Sequence, residues 1–194
     1  MVKSLILLTI LFIWNSATMS PQVQPAEQEQ IQKAKDLVRD WFRRWNALDG
    51  SAESVSRFVE LYKPNALHET GPQGELIGTA FYQGHDMIRK LAENTGKTNC
   101  RQAYYIKTRT SLDQIGDGGG SKTAELITAA PSPIGGISVA VELGASYDNR
   151  ETKKRFMAPG AAFFDVQDGK IVRLRMYYSK GEHFEVTNQA GCAN

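Results

Sequence analysis

Residues 163–178 read Phe163-Phe164-Asp165-Val166-Gln167-Asp168-Gly169-Lys170-Ile171-Val172-Arg173-Leu174-Arg175-Met176-Tyr177-Tyr178. The stretch predicts two antiparallel strands joined by a two-residue turn, because Asp-Gly between β-branched and aromatic residues is a strong hairpin signal. Gly169 adopts the positive φ of such a turn without steric cost, and aspartate tolerates it. The second strand carries two arginines and two tyrosines among apolar residues, so one of its faces is not purely core. Asp165, beside the hairpin, is expected to be exposed.

Three helices are predicted before this hairpin. Apolar residues recur at three- and four-residue steps over residues 31–48, which is typical of one long amphipathic helix. A second, shorter helix ends before Pro64, and its apolar face carries Val55, Phe58, Val59 and Tyr62. Residues 85–94 form the third helix.

The other segments are strand-like. A brief extended piece at 66–70 is followed by a turn at 71–74, and longer strands are predicted at 104–110, 123–128 and 137–147. The Gly-rich segment 116–120 is interpreted as a hairpin loop, because no helix or Gly-Lys-Ser/Thr follows it. Helices followed by sequential antiparallel strands indicate an α+β domain, with the helices packed on one face of a curved, mainly antiparallel sheet.

The composition indicates a globular domain and argues against nucleic-acid and metal binding. The chain has 194 residues, is 41% hydrophobic and carries a net charge of +2, which suits one globular domain with a real core. Its basic and acidic residues are interspersed without a basic block, so we expect no nucleic-acid partner. Three histidines and two distant cysteines offer no metal-ligand spacing, and we expect neither a metal nor another cofactor.

The two ends of the chain differ from the middle. Residues 1–20 combine Lys3, an apolar run of about ten residues and a small-residue exit, which predicts a secretory signal peptide. The protein is then secreted or periplasmic, with no membrane contact once the signal is removed; an uncleaved N-terminal anchor is the alternative. Residues 21–30 are predicted to be a linker, residues 31–180 the domain, and residues 181–194 a C-terminal tail.

Cys100 and Cys192 leave two alternatives. In an exported protein an even number of cysteines favours a disulfide, which here ties the tail to the middle of the domain. Two unpaired thiols, one of them in a frayed tail, fit the sequence equally well.

The order helix, helix, short strand, helix and antiparallel meander resembles the nuclear-transport-factor-2-like superfamily, and within it the SnoaL-like (polyketide-cyclase-like) branch. The resemblance covers roughly residues 31–180. It depends on Trp41 and Trp45 on the first helix, residues 64–68 at the first strand, Gly84 opening the third helix, and Asp168-Gly169-Lys170-Ile171 with Arg175 and Tyr177-Tyr178 closing the sheet. It implies a cone-shaped domain whose mouth holds an apolar ligand, and a second sheet face that commonly forms a homodimer.

The chain departs from this superfamily at one position. Related enzymes often carry an aspartate near the end of the last strand, where this chain has Met176 and Ser179. Neither side chain performs acid–base work, which argues against the epoxide-hydrolase and cyclase chemistries and leaves catalysis to acids elsewhere.

Two residues are candidates for catalysis. His68 lies on the first strand, where related domains direct a polar side chain into the cavity, and imidazole suits acid–base work near neutral pH. Glu142 shares its strand face with small residues that leave room for a ligand, and a desolvated carboxylate there suits proton transfer. The alternatives are a hydrogen-bonded structural histidine and a solvent-exposed glutamate.

Four further residues are candidates for ligand binding. Arg175 and Tyr177 fall on one side of the last strand, where together they can hold a carboxylate or phenolate. A cross-strand salt bridge with a packed tyrosine is the other interpretation. Glu125 interrupts a strand as Glu142 does, and Tyr62 is either core or pocket wall.

Two functions follow from these expectations. The first is an exported protein that binds a small apolar or amphipathic molecule in a cone pocket, with acid–base chemistry of the isomerase, dehydratase or hydrolase type. The second is a non-catalytic ligand-binding or dimerisation module. Fold alone does not decide between them.

Overall fold

The computed structural model describes residues 24–72, 80–110, 123–179, 182–185 and 192. The predicted signal peptide and the Gly-rich segment 116–120 lie outside these residues. No helix in the part of the chain that the structure describes is long and apolar enough to cross a membrane.

The three predicted helices are present as α1 (Pro25–Asn46), α2 (Ala52–Val59) and α3 (Gly84–Thr98). α1 begins at Pro25 rather than near residue 31, so part of the predicted linker is helical. Proline suits the first helical turn, and Glu27 interacts favourably with the helix dipole there. α2 is capped by Ser51, whose hydroxyl accepts a hydrogen bond from the Ser54 backbone N–H.

The strands are extended and more numerous than the sequence predicted. They are β1 (Tyr62–Pro72), β2 (Ala80–Gln83), β3 (Asn99–Ile106), β4 (Thr108–Thr110), β5 (Thr123–Glu125), β6 (Ile127–Pro131), β7 (Ile137–Asn149), β8 (Lys154–Gln167), β9 (Lys170–Tyr178) and β10 (Glu182–Glu185). The predicted strands at 104–110 and 123–128 are each divided in two, at Lys107 and Leu126.

The main sheet has the order β2-β1-β9-β8-β7-β3, with β6 on β7 and β10 on β8, while β4 and β5 form a separate pair. Among the described strands only β1 and β9 pair in parallel. The prediction of an α+β domain with a mainly antiparallel sheet is therefore confirmed.

The Asp-Gly hairpin is confirmed at the level of its backbone. Asp168 and Gly169 both have positive φ, 50° and 69°, as a two-residue turn between right-twisted strands needs. Gln167 and Lys170 pair directly on either side of the turn. A register shift beside Val166 then places Leu174 and Met176 on the buried face of β9.

Two predictions at the ends of the first strand are wrong, those for Tyr62 and Gly71. Tyr62 begins β1 instead of ending α2, because the chain turns at residues 60–61 and Tyr62 pairs with Ile171 of β9. Pro64 lies within β1, at an irregularity in the β1–β9 register where its missing N–H is tolerated. Gly71 belongs to the same strand and not to the predicted turn.

The sheet has two different faces. We call the face that packs on the helices the inner face; it carries the alternate apolar positions of β7, from Ile137 to Ala145, together with Phe164 and Leu174. We call the opposite face the outer face. Because side chains alternate along a strand, the residues between these positions lie on the outer face.

Cys100 and Cys192 are joined by a disulfide with Cα atoms 5.5 Å apart. The bridge decides between the two alternatives left by the sequence. It fixes Cys192 beside the β3–β7 edge, where Arg150 also donates a hydrogen bond of 2.6 Å to the Cys192 carbonyl oxygen.

Candidate functional site

His68 lies at the centre of the inner face. It is in the middle of β1, between β2 and β9, and its side chain is only 1% exposed. Aromatic rings surround the imidazole, with centroids 6.0–6.3 Å away in Trp41, Trp45, Tyr62 and Tyr82. The helices supply the two tryptophans and the strands supply the tyrosines, so the enclosure exists only in the folded chain.

A buried hydrogen-bond chain ends on this imidazole. The Trp41 Nε1–H donates to the Tyr62 hydroxyl oxygen over 2.7 Å, and that hydroxyl lies 3.0 Å from His68 Nδ1. Indole is only a donor, so the hydroxyl proton of Tyr62 is directed to Nδ1. This assignment places the imidazole proton on Nε2.

Burial keeps both ends of the Tyr62–His68 pair uncharged. Loss of solvent lowers the pKa of His68 to about 3 and raises the pKa of the Tyr62 hydroxyl above its ordinary value. At neutral pH the imidazole is therefore neutral, with Nδ1 accepting from Tyr62 and Nε2 carrying the proton. Such a ring is better suited to donate a hydrogen bond from Nε2 than to act as a base.

A second polar cluster, the tyrosine cluster, lies on the inner face and was missed from the sequence. Its members are Tyr104, Tyr147 and Tyr178, whose hydroxyl groups interact with one another and whose pKa values are all raised, chiefly by burial. Trp45 faces Tyr104 with ring centroids 5.8 Å apart, but its buried Nε1 reaches no acceptor in hydrogen-bond geometry among the described residues. The inward alternation of Tyr104 and Tyr147 in their strands was the available signal.

Glu142 is not part of this interior. It pairs with Ala161 on the outer face and is exposed, whereas His68 lies on the inner face. The sheet thus separates the two predicted catalytic residues, and the expected His68–Glu142 pair does not form. Small neighbours made this strand face look like a pocket, but strand alternation alone does not say which face the helices cover.

Arg175 and Tyr177 lie together, as expected, but on the outer face. The Arg175 guanidinium is 3.5 Å from the Asp165 carboxylate and 5.7 Å from the Phe163 ring centroid, and its Nε is buried without a partner among the described residues. Tyr177 packs edge-on against Phe163. The arrangement matches the packed tyrosine and cross-strand ion pair, away from the His68 enclosure.

Two acidic residues near the sheet also have structural partners. Glu125 accepts a hydrogen bond of 2.8 Å from Arg39 of α1, which ties β5 to that helix. Asp165 is buried, which corrects its expected exposure, and it accepts a hydrogen bond of 2.7 Å from the Ser138 hydroxyl. In the described residues no group of three or more His, Cys, Asp or Glu side chains is arranged to hold a metal ion.

Solved structures share this arrangement of helices and sheet. The chain has the nuclear-transport-factor-2-like fold, of the SnoaL-like type. A protein from Catenulispora acidiphila with a ketosteroid isomerase-like fold, solved with trimethylamine, is 15% identical with a TM-score of 0.50, over 75% of this chain and 86% of that one. A candidate scytalone dehydratase from Novosphingobium aromaticivorans is 12% identical with a TM-score of 0.54, over 86% and 97%.

A third similar structure is the epoxide hydrolase/cyclase-like enzyme SalBIII, which acts in pyran ring formation in the polyether salinomycin. It is 22% identical with a TM-score of 0.50, over 77% of this chain and 92% of that one. No protein-family model and no curated protein matches the chain. At these identities the likeness establishes the fold, and the chemistry has to be argued from the residues themselves.

Proposed function

We propose that the protein is exported and binds a small, partly apolar molecule in the interior of its cone, where His68 donates a hydrogen bond to the reacting oxygen. The observation that carries the proposal is the buried chain from Trp41 through Tyr62 to His68 Nδ1. An isolated buried imidazole is unfavourable without hydrogen bonds, and this one is oriented by two other side chains. Solved proteins with the same fold include one with a ketosteroid isomerase-like fold, a candidate scytalone dehydratase and an epoxide hydrolase/cyclase-like enzyme, and their descriptions suggest the reactions to test first.

The tautomer defines what His68 contributes. With Nδ1 engaged by Tyr62, the Nε2–H is the group that meets a ligand oxygen, and a neutral donor in a dry enclosure stabilises negative charge that develops there. Tyr62 positions the ring, and Trp41 positions Tyr62. The role is that of a hydrogen-bond donor to a carbonyl or enolate oxygen, in an isomerisation, dehydration or hydrolysis.

The test begins with untargeted mass spectrometry of ligands retained by the natively purified protein. The ligand is then incubated with the wild type and with His68→Asn, whose amide oxygen replaces Nδ1 as the acceptor from Tyr62 but leaves no Nε2 donor. We expect the variant to retain the ligand and lose turnover by about 10²–10³-fold, as when one oxyanion donor is removed. Glu142→Gln on the outer face is the control and should convert the ligand like the wild type.

The proposal fails if well-folded protein retains nothing, or if His68→Asn turns over the ligand at the wild-type rate. If the wild type binds the ligand but does not convert it, the ligand-binding part of the proposal stands and the catalytic part is wrong.

A dimerisation module is the second candidate, favoured by the outer face. Tyr105, Met157 and Phe163 lie there and are 56%, 49% and 39% exposed. Small residues lie between these side chains. Gly144 of β7 pairs with Tyr105 of β3, and Ala161 lies two residues before Phe163 on the same face of β8. Exposed apolar side chains around a floor of small residues are typical of a surface that packs against another protein, and we propose a second copy of the chain.

Analytical ultracentrifugation of Met157→Lys tests this interface. We expect a dimer for the wild type and a monomer for the variant, because a lysine in an apolar contact is desolvated. Met87→Lys, on α3 and 44% exposed, introduces the same change elsewhere and should remain a dimer. A monomeric wild type would exclude the dimer.

Export has its own test. The disulfide between Cys100 and Cys192 supports an oxidising compartment. We expect the intact mass of protein collected outside the cytoplasm to correspond to loss of about 20 N-terminal residues, as a signal peptide predicts. A full-length mass in a membrane fraction would favour the N-terminal anchor instead.

A further inference from the structure

A cleft of about 350 Å³ lies at the end of the β7–β8 hairpin. It is lined by Tyr147, Asn149, Thr152, Lys154 and Phe156. Tyr147 and Phe156 continue the inward alternation of β7 and β8, so the cleft opens on the inner face, the same side of the sheet as His68. Its volume is in the range of pockets that hold small ligands.

The lining combines an aromatic wall with one cationic group. The rings of Tyr147 and Phe156 are stacked, with centroids 5.0 Å apart and planes at 28°. Lys154 supplies an ammonium, and Asn149 and Thr152 supply an amide and a hydroxyl. None of these five lining residues is acidic. A flat apolar surface beside such donors suits an aromatic ring that carries an anionic oxygen group.

Charge around the cleft favours the same class of ligand. Residues 148–155 carry four basic and two acidic side chains. Asp148, one of the two acidic residues, is fully buried and is already held by Arg155 and Arg101, at 2.6 and 3.5 Å. Glu185 of β10 is opposite Lys154 in the strand register, so it is the acidic position closest in register to the cleft lysine.

The aromatic wall continues from the cleft toward His68. Phe156 and Tyr178 are in edge-to-face contact at 6.3 Å, and the hydroxyl groups of the tyrosine cluster lead to Tyr104. From there Trp45 lies between Tyr104 and His68, with ring centroids 5.8 and 6.0 Å away. Ring contacts thus run from the cleft to Tyr178 and from Tyr104 to the imidazole, with the hydroxyl groups of Tyr178 and Tyr104 between the two sets.

We infer that the cleft binds the carboxylate end of a planar aromatic acid, with the ring on Tyr147 and Phe156 and the carboxylate at Lys154. The inference goes beyond the proposed function and names a second site, because the buried side chains of Tyr104 and Trp45 lie between the cleft and His68. The Thr152 hydroxyl is the neutral group of the cleft that adds a hydrogen bond to the carboxylate.

Calorimetric titration with 2-naphthoate and its neutral analogue 2-naphthylmethanol tests the inference. We expect naphthoate to bind more tightly than the alcohol, and Lys154→Gln to weaken naphthoate about 2- to 5-fold while leaving the alcohol unchanged, since an exposed ion pair contributes modestly. Lys90→Gln, an exposed lysine of α3, removes the same charge elsewhere and should have no effect. High salt should weaken the binding of naphthoate.

Three results would overturn the inference: equal affinity for the two compounds, an equal loss in Lys154→Gln and Lys90→Gln, or no binding of either compound at millimolar concentration. Tyr147→Leu removes the aromatic wall without touching the charge and should weaken both compounds together. These outcomes are separate from the proposed function, which is judged by the retained ligand and by His68→Asn.

Discussion

His68 shows how one buried residue acquires its chemistry from its neighbours. Free imidazole titrates near neutral pH, but full burial among aromatic rings lowers the pKa of His68 to about 3. The Tyr62 hydroxyl then selects the tautomer by donating to Nδ1. A histidine on an exposed strand would gain and lose a proton near neutral pH. Buried His68 instead stays neutral throughout the physiological pH range and donates from Nε2.

This burial has a consequence for stability. In the unfolded chain His68 binds a proton with a pKa of about 6.5, while the folded protein does not bind it until near pH 3. The unfolded state therefore binds more protons between these values, and stability falls as the pH falls from about 6.5 toward 3. We expect a loss of about 2 kcal/mol from this group between pH 7 and pH 5.

Urea unfolding of the wild type and of His68→Asn at both pH values measures this contribution. The variant should lose about 2 kcal/mol less than the wild type on acidification, since asparagine does not titrate. Parallel pH dependences of the two proteins would show that the imidazole is not buried as described.

At the scale of elements, two turns use glycine for different reasons. Gly169 closes the β8–β9 hairpin with a φ of 69°, and nothing lies within 4 Å of the place a Cβ would take. Gly136, before β7, has a φ of 77°, and a Cβ there would lie 2.0 Å from the Val166 carbonyl oxygen. The first position needs glycine for its backbone angle alone, and the second also for the close approach of β8.

Alanine substitutions separate these two effects. Gly169→Ala should lower the free energy of unfolding by about 1–2 kcal/mol, the cost of a left-handed backbone. Gly136→Ala should lower it by about 2–5 kcal/mol, because the overlap with backbone adds to that cost. Denaturant unfolding of both variants provides the comparison, and equal losses would contradict the close contact at Gly136.

At the scale of the whole molecule, Cys192 is held by a covalent bond and by a hydrogen bond. The Cys100–Cys192 bridge spans 92 residues and lies beside Asp148, whose carboxylate accepts two hydrogen bonds from Arg155. The Cys192 carbonyl is bound by Arg150 in the turn that follows β7. The bridge and the Arg150 hydrogen bond together anchor Cys192 at the sheet corner that carries the proposed aromatic-acid cleft.

Removing the bridge should destabilise the fold without changing its topology. On the chain-entropy model a loop of this length contributes up to about 4–5 kcal/mol, through constraint of the unfolded chain. We expect the Cys100→Ser/Cys192→Ser protein to unfold at correspondingly lower urea and to be insensitive to dithiothreitol. The wild type with dithiothreitol should match it. No difference between oxidised and reduced wild type would indicate that the bridge does not form in solution.

Much of the fold was predictable because its signals are local. Helix periodicity, the Asp-Gly turn and strand alternation each depend on neighbours a few residues apart, and each is present where it was expected. The errors lie where the structure of a residue depends on a pairing partner far away in the sequence. Tyr62 belongs to a strand because it pairs with Ile171 of β9, although its local pattern is compatible with the end of a helix.

The candidate site was less predictable for the same physical reason. Alternation groups Glu142 with small residues and Arg175 with Tyr177, but does not say which face of the sheet the helices cover. Packing places both groups on the outer face, and it brings Trp41 of α1 to Tyr62, which also meets His68 six residues further along β1. A hydrogen-bond chain between distant elements has no local signature.

The sequence by itself determined the α+β class, the three helices and the closing hairpin, because backbone preferences and apolar periodicity act over short distances. The tertiary structure decided the pairing of Cys100 with Cys192, the tautomer and charge of His68, and the separation of His68 from Glu142. These properties depend on burial and on contacts between side chains from different elements, which exist only after the helices have packed on the inner face.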